Sequence, residues 1–277
     1  RCPEETRPLT IINTDAKIFA VAANYTFSKI LGTWARHEQR GFVVNRQILD
    51  NIIDVDTSMR LLSILSSTAL CALFDYAAAF PSVEWTYMED LFEAVHMPRD
   101  LVNLVKKLYE GCHHFTRILG EYRYAYCQRS GTKQGCPLSG SIFVVVLDPI
   151  INMLASKMHT NSMLRAFADD IATTLFGGAT ELAIVVKGLT FAASFTGLHL
   201  KTRKCIIIPL FKGTIQAVRE DIIKVLPQWH DAKIDMSGKY LGIFLGPGRG
   251  AKTWIIPTQK WCTRTDDISQ NPTQHVR

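Results

Sequence analysis

The order of the apolar segments constrains the fold of this chain more than any other feature of its sequence. Once an insertion at 97–160 is set aside, periodicity predicts a strand, a helix, two strands, a helix and a strand, at 69–74, 82–96, 163–168, 171–176, 181–195 and 205–210. This β-α-β-β-α-β series is typical of the split βαβ arrangement, in which the first two strands are parallel. We therefore expect an α+β fold whose first two strands end at the same edge of one sheet.

Acidic residues follow both of those strands. Asp75 comes directly after the first strand, and Asp169 and Asp170 follow the second. Two carboxylates about 4 Å apart repel by about 4 kcal/mol at an effective dielectric of about 20, so a cation, a shared proton or water has to compensate. Oxygen clusters of this kind suit Mg²⁺, and two such ions can clamp both oxygens of a phosphoryl transfer. The alternative is that Asp169-Asp170 is an ordinary turn dipeptide.

Composition narrows the class of protein without naming a function. The 277 residues are 47% apolar and 20% charged, which is globular composition, and the net charge of +6 permits an anionic partner. The seven cysteines are odd in number and lack C-x-x-C spacing, so we expect no disulfide partner and no structural zinc. Since no apolar run approaches the roughly 20 residues of a membrane span, we expect no membrane partner.

Several segments resemble the reverse transcriptases of non-LTR (LINE-type) retrotransposons. The stretch 167–170 is similar to their (Y/F)-x-D-D box, 74–83 to their first palm motif, and 131–139 to their R-Q-G-C-P-L-S motif. Three further segments agree in the same chain order: 7–18, 39–43 and 239–242. The resemblance covers about residues 5 to 246. The G-C-P-L-S box favours the LINE type over group II intron or telomerase relatives.

The resemblance implies a right-hand polymerase fold with a split βαβ (ferredoxin-like) palm. We expect partial fingers at 1–68 and a palm at 69–246, with inserted fingers and the motif B helix at 97–160. The stretch 247–277 is expected to be the start of a truncated thumb or an irregular tail. Because the chain begins with Arg1 rather than Met, we expect a fragment.

The resemblance also implies a catalytic centre with two Mg²⁺ ions. Asp75 and Asp169 would ligate both ions, and Asp170 would support them. The backbone carbonyl of Phe74 would add a further metal ligand.

Four residues are implied in binding the incoming nucleotide. Phe80 would be an aromatic gate against a ribose 2′-OH, with a core aromatic as the alternative. Gln134 and Gly135 would lie along the nucleotide and the template, since an amide can donate to phosphate and a glycine lets the backbone come close. Arg7 would hold the triphosphate by charge-assisted bonds, or else be a solvated surface charge.

Other positions are given weaker roles. The primer grip would comprise Lys239, Tyr240, Leu241 and Gly242. Lys204 falls near a lysine that assists pyrophosphate departure in such polymerases, but a solvated lysine is the preferred interpretation. For the alternating rings of Tyr122, Tyr124 and Tyr126, packing on a neighbouring element is favoured over stacking on bases.

The resemblance thus implies an RNA-directed DNA polymerase that extends a DNA primer on an RNA template from dNTPs, with magnesium as cofactor. Its partners would bind mainly through phosphates. The alternative is a catalytically inactive retrotransposon remnant that retains only nucleic-acid binding. An intracellular location in the nucleus is implied by the resemblance alone.

Overall fold

Nine strands run through residues 11–270, the part of the chain that this computed structural model describes. They are β1 (Leu70–Phe74), β2 (His113–Ile118), β3 (Glu121–Cys127), β4 (Met163–Phe167), β5 (Asp170–Leu175), β6 (Ile206–Pro209), β7 (Lys233–Ile234), β8 (Gly238–Tyr240) and β9 (Ile243–Leu245). Five of them form one sheet in the order β4-β5-β1-β6-β7, while β2-β3 and β8-β9 form separate hairpins. Since β5 is antiparallel to both β1 and β4, these two strands run in the same direction. The predicted α+β fold with a split βαβ sheet is confirmed.

Residues 11–270 also contain nine α-helices. They are α1 (Thr14–Trp34), α2 (Ile48–Leu65), α3 (Ala79–Ser82), α4 (Trp85–Ala94), α5 (Arg99–Tyr109), α6 (Ser139–Ala155), α7 (Gly178–Thr196), α8 (Ile215–Val225) and α9 (Lys252–Gln270). Helices α6 and α7 pack against each other on the sheet, and α2 packs against β4 and β5.

Strand β1 is buried on both faces, and this explains its unbroken apolar sequence. Leu70, Ala72 and Phe74 belong to the core cluster that contains α6 and α7. Cys71 and Leu73 belong to a second cluster, with α2 and the β8-β9 hairpin. Side chains alternate between the two faces of a strand. Asp75, the residue after β1, is therefore expected on the same face of the sheet as Cys71 and Leu73.

The structure divides two elements that periodicity predicted as continuous. The predicted helix at 82–96 is interrupted between α3 and α4. There the Val83 carbonyl accepts a hydrogen bond from the Gly131 N–H, and the Glu84 N–H donates one to the Thr196 carbonyl. The apolar pattern at 239–245 likewise predicts one strand, and in the structure this stretch belongs to the β8-β9 hairpin. Its two turn residues, Leu241 and Gly242, both have positive φ, the geometry favoured in two-residue hairpins. Tertiary hydrogen bonds and turn geometry override local periodicity at both places.

Two elements carry little sequence signal. Strand β7 pairs parallel to β6 and has two residues, too few to show alternation. The stretch 247–277, expected to be the start of a truncated thumb or an irregular tail, is helical from Lys252 to Gln270 in α9. Almost all of the helix is exposed, so it has no buried stripe from which amphipathic periodicity would arise.

Helix α7 is long and apolar enough, by length and composition, to cross a membrane, although no apolar run of that length was expected from the sequence. In the structure 56% of this stretch is buried inside the protein. The helix packs against α6, α8 and β1. Burial of this kind is the ordinary state of a core helix that is apolar on most of its surface.

Candidate active site

Asp75 and Asp170 are brought together by the register of β1 and β5. The antiparallel ladder ends at the pair Phe74 and Ile171, so the next positions along the two strands are Asp75 and Asp170. Residues that face each other in such a ladder have Cα atoms about 4.5–5.5 Å apart. Both aspartates line one cleft of about 370 Å³ at this edge of the sheet. Two carboxylates that are far apart in sequence therefore share one site.

Asp169 belongs to the tight turn that connects β4 to β5. Phe167 pairs with Asp170, which leaves Ala168 and Asp169 as a two-residue turn. Ala168 adopts a φ of 56°, a conformation that residues with side chains rarely take. Burial, above all, raises the pKa of the Tyr76 hydroxyl, and the charges of Cys205 and Asp169 add to this. The carboxylate of Asp169 is thus close enough to act on the residue that follows Asp75.

The backbone of Asp75 is held from the side of β6. Its carbonyl oxygen accepts a hydrogen bond of 2.8 Å from the Lys201 N–H and a weaker one of 3.9 Å from Cys205 Sγ. Burial, partly offset by that bond and reinforced by the charge of Asp75, raises the pKa of the Cys205 thiol to about 11. The thiol is therefore neutral near pH 7, and its role is to anchor the backbone.

Within residues 11–270, no group of three or more His, Cys, Asp or Glu side chains forms a ready-made metal cluster. The sequence predicted three converging carboxylates. In the structure Asp75 and Asp170 line the cleft, and Asp169 lies in the turn that adjoins it. Mg²⁺ is commonly held by one or two carboxylates, with waters and substrate phosphates as its other ligands. The oxygen donors of this cleft therefore fit a magnesium ion that arrives with a nucleotide.

Phe74 can offer such an ion only its backbone oxygen. Its ring is buried and packs edge-on against Trp229, with ring centroids 6.2 Å apart. The predicted metal ligand is the carbonyl, and that role stays a prediction.

Basic side chains surround the two carboxylates. Lys204 Nζ lies 3.9 Å from Asp75 Oδ2, so this lysine is paired rather than simply solvated. The same cleft is also lined by Arg203, Lys233 and Lys239. The Lys204 side chain is 61% exposed, and ion pairs this exposed contribute little stability. A phosphate or a metal ion can therefore displace Lys204 from Asp75 at small cost.

Gln39 braces the turn that carries Asp169. Its fully buried side chain donates from Nε2 to the Ala168 carbonyl at 3.1 Å and accepts at Oε1 from the Ala168 N–H at 2.9 Å. The same Oε1 accepts from the Gly41 N–H at 2.8 Å. A Cβ atom at Gly41 would overlap the Ala168 backbone nitrogen, so only glycine allows this close approach. The sequence marked 39–43 as a family-like segment but assigned no residue a role.

A charged cluster beside this brace ties α2 to β4. Asp54 Oδ2 accepts from Arg40 at 2.7 Å and from Arg165 at 2.8 Å. Burial alone would raise the pKa of the Asp54 carboxyl, but the bonds from Arg165 and Arg40 outweigh it and lower the pKa. This cluster holds the strand that leads into the Ala168-Asp169 turn.

The predicted primer-grip residues divide into an exposed and a buried set. Lys239 is exposed and lines the carboxylate cleft, whereas Tyr240 is buried. The Tyr240 hydroxyl accepts from Asn51 Nδ2 at 3.2 Å, and the same nitrogen donates to the Ala166 carbonyl at 2.9 Å. Burial raises the pKa of Tyr240, and the charge of Asp170 adds to this effect. Tyr240 therefore anchors the β8-β9 hairpin to α2 and leaves Lys239 available for phosphate.

Phe80 joins the first palm motif to the loop that carries Gln134. Its ring is partly buried and stacks on Phe143, with centroids 4.4 Å apart and planes 18° apart. Its carbonyl accepts from the Thr132 N–H at 2.7 Å. The stacking is the contact that the core interpretation expects, and the gate role stays a prediction.

Gln134 and Gly135, two further residues predicted to bind the nucleotide, are not among the described residues that line the carboxylate cleft. Gln134 lines a different cleft, of about 320 Å³, together with Tyr126 and Lys133. Gly135, beside it, has a φ of 107°. Arg7 lies outside the described residues.

Comparison with solved structures defines the class of protein. The chain matches apo telomerase from Candida tropicalis with a TM-score of 0.58 at 10% identity, over 87% of this chain and 42% of that one. It matches telomerase from the same organism in complex with the TWJ fragment of telomeric RNA with a TM-score of 0.55 at 11% identity, over 84% of this chain and 36% of that one. At such identities the likeness shows the fold alone. The protein therefore has the right-hand polymerase fold.

The chain belongs to the reverse transcriptase (RNA-dependent DNA polymerase) family, whose profile matches residues 3–245. It is 26% identical over 176 residues to the transposon TX1 uncharacterized 149 kDa protein of Xenopus laevis, covering 60% of this chain and 13% of that protein. It is 28% identical over 215 residues to the retrovirus-related Pol polyprotein from type-2 retrotransposable element R2DM of Drosophila melanogaster, covering 74% and 20%. These matches confirm the resemblance to non-LTR retrotransposon proteins. The chain spans a fifth or less of the length of these relatives.

Proposed function

We propose that this protein is an RNA-directed DNA polymerase that extends a DNA primer on an RNA template from dNTPs. The observation that carries the proposal is the shared cleft of Asp75 and Asp170, ringed by basic side chains, in a chain of the reverse transcriptase family. Carboxylates suit metal ions, and the surrounding cations suit phosphates. A cleft that offers both is suited to nucleotidyl transfer.

The family is generally dependent on divalent metal ions. Asp75 and Asp169 would hold two Mg²⁺ ions, with Asp170 in support and the Phe74 carbonyl as a further ligand. When bound, such ions lower the pKa of the attacking 3′-OH and neutralise charge on the departing pyrophosphate. The protein itself holds the carboxylate and carbonyl oxygens of these residues in position. The Gln39 brace fixes the turn, and the Lys201 N–H fixes the backbone of Asp75.

The substrates would be positioned by the residues around the cleft. Lys204 and Lys239 would bind phosphates of the primer or of pyrophosphate, because both lie beside the carboxylates. Gln134 and Gly135 would lie along the nucleotide and the template, and Phe80 would exclude a ribose 2′-OH. Arg7 would hold the triphosphate. Leu241 and Gly242 would present the turn beside Lys239 to the primer.

The proposed partners are an RNA template, a DNA primer and dNTPs. Since phosphates would supply most of the contacts, the affinity for a primer–template should fall steeply with salt. We also propose the nucleus as the site of action, on the strength of the family resemblance alone.

Primer extension on poly(rA)/oligo(dT) with Mg²⁺ and dTTP tests this function. We expect Asp75→Asn and Asp169→Ala to reduce incorporation to background, while Asp221→Asn, an exposed aspartate on α8, leaves it unchanged. Circular dichroism and thermal melting would verify that each variant folds. Equal incorporation by the unmodified protein and Asp169→Ala would contradict the mechanism. Primer–template binding without extension by the unmodified protein would support the inactive remnant instead.

A further inference from the structure

The β2-β3 hairpin presents a row of aromatic rings to solvent. The two strands pair with each other and with no other strand of residues 11–270. All residues of β2 and β3 are exposed except His114 and Cys127, which are half-buried. Tyr124 and Tyr126 contact aromatic rings of β2, yet Tyr122, Tyr124 and Tyr126 all remain exposed to solvent. Large exposed rings in a row are uncommon on a protein surface and indicate a binding site.

The register shows which side chains share a face. Phe115 lies opposite Tyr124, and Arg117 lies opposite Tyr122. Phe115 and Tyr124 meet edge to face with centroids 5.9 Å apart, and the Arg117 guanidinium lies 5.8 Å from the Tyr122 ring centroid. His113 joins them, 5.9 Å from Tyr124. These five residues form what is called here the aromatic face. Ile118, Thr116 and Arg123 belong to the opposite face.

The spacing of the rings suits bases. Tyr122 and Tyr124 are two positions apart on one strand, which separates them by about 7 Å. Nucleotides in one strand of a duplex rise by about 3.4 Å each, so about twice that rise separates the two rings. A base therefore has room between them, and every base has a flat face for such stacking.

The charge around the hairpin favours a polyanion. Between residues 113 and 134 the cations are Arg117, Arg123, Arg129 and Lys133, and the single carboxylate is Glu121. Glu121 lies 3.6 Å from Arg123 and is paired with it. The net positive charge of this segment suits a phosphate backbone better than an apolar protein surface or an uncharged lipid.

The hairpin is also continuous with the proposed template path. Strand β3 leads directly into the loop of Gln134, and Tyr126, Arg129 and Gln134 line the same cleft of about 320 Å³. That loop is joined to the first palm motif by the bond from Thr132 to Phe80. A strand that passes Gln134 would thus meet the base of the hairpin next.

We propose that the aromatic face is a stacking platform for single-stranded RNA. Bases of the strand stack on Tyr122, Tyr124 and Phe115, while Arg117 pairs with its phosphates. That this strand is the unpaired part of the template rests on the proposed function. The stacking itself does not, because it needs neither metal ion nor nucleotide.

The test is fluorescence anisotropy with a labelled single-stranded oligo(rU) of about twelve nucleotides, within the range of sites on stacking proteins. The titrations are run in EDTA without dNTPs, so that polymerisation plays no part. Tyr122→Ala and Tyr124→Ala remove a ring, and Tyr122→Phe and Tyr124→Phe keep it. Ile118→Ala on the opposite face is the matched control.

We expect each tyrosine-to-alanine change to weaken Kd about tenfold, because one stacked base is lost. The phenylalanine variants and Ile118→Ala should bind like the unmodified protein. Absence of oligo(rU) binding, equal affinity of the alanine variants, or a loss that phenylalanine does not prevent would each overturn the platform.

Two further measurements separate this proposal from its alternatives. Asp75→Asn should lose primer extension and still bind oligo(rU) normally. If the unmodified protein shows ring-dependent binding but no primer extension, the platform stands and the polymerase proposal fails. If the unmodified protein extends the primer normally but the tyrosine-to-alanine variants bind oligo(rU) as tightly as it does, the platform proposal is wrong and the polymerase proposal stands. If sedimentation shows a dimer that the tyrosine-to-alanine variants dissociate, with oligo(rU) affinity unchanged, the face is a protein contact and the proposal is wrong.

Discussion

The β4-β5 turn and the β2-β3 turn have the same length but opposite surroundings. Each has two residues and begins with a residue of positive φ, Ala168 at 56° and Leu119 at 52°. Ala168 is buried and held on both backbone groups by the Gln39 side chain. Leu119 is 99% exposed, and a Cβ added at Gly120 would meet nothing within 4 Å. The proposed metal-binding carboxylates need fixed positions, whereas the proposed stacking surface needs open space on both sides of its rings.

The largest contrast should come from adding one methyl group to a glycine in each region. Gly41→Ala drives a Cβ atom into the backbone of Ala168, so we expect a loss of about 3 kcal/mol in the free energy of unfolding. Displacement of the turn should lower primer extension about 100-fold. Denaturant titration and extension assays measure the two effects.

Gly120→Ala is the partner experiment in the exposed hairpin. Its φ of 89° makes alanine strained by about 1–2 kcal/mol, but no atom has to move aside. Extension on a short primer–template should stay within about twofold of the unmodified protein, because the carboxylates are not displaced. Equal loss of activity in the two variants would show that the brace at Gly41 has no special role.

Removal of the Gln39 amide should have the next largest effect. Gln39→Leu keeps a similar volume but leaves the backbone groups of Ala168 and the Gly41 N–H without a buried partner. We expect a destabilisation of about 2–3 kcal/mol and a fall in extension. Gln216→Leu on the exposed surface of α8 should change stability by less than about 0.5 kcal/mol. If the Gln39→Leu protein is as stable and active as the Gln216→Leu control, the Gln39 side chain does not hold the Ala168-Asp169 turn in place.

The charged cluster beside the brace predicts a pH dependence. Since the pKa of Asp54 is lowered in the folded protein, the unfolded chain binds more protons in acid, and stability falls as pH decreases below about 4. Above that pH the stabilisation is fully present. Asp54→Asn should therefore unfold with a shallower dependence on pH between 5 and 3 than the unmodified protein. Urea melts at each pH measure this, and Asp267→Asn on exposed α9 should keep the original slope.

The smallest effect is expected at the exposed tip. Leu119→Asn replaces a leucine in a left-handed conformation with a residue that tolerates it ahead of Gly120. The hairpin should gain about 1 kcal/mol in local stability, with extension unchanged. Hydrogen exchange of residues 113–127 reports on this, and faster exchange in the variant would contradict the assigned strain.

The sequence alone determined the order of the main elements and the common edge of β1 and β4. It could do so because strand and helix periodicities report locally on burial, and because an acidic residue after a buried strand has to lie at the edge of the sheet. The family motifs pointed to Asp75, Asp169 and Asp170 for the same reason, since each stands beside a predicted strand. The segments missed or divided, such as β7 and the turn at Leu241-Gly242, are those where the local pattern is too short or is overridden.

Only the tertiary structure decided which partners those residues have. No periodicity could show that Gln39 would fold onto Ala168, that Asn51 would hold Tyr240, or that Asp170 would line one cleft with Asp75. Nor could periodicity show that the rings of β3 face solvent. A strand with a tyrosine at every second position has the same sequence pattern whether or not another element covers its tyrosines. Hydrogen bonds and exposure depend on what the rest of the chain brings alongside, and that is a property of the fold rather than of any segment.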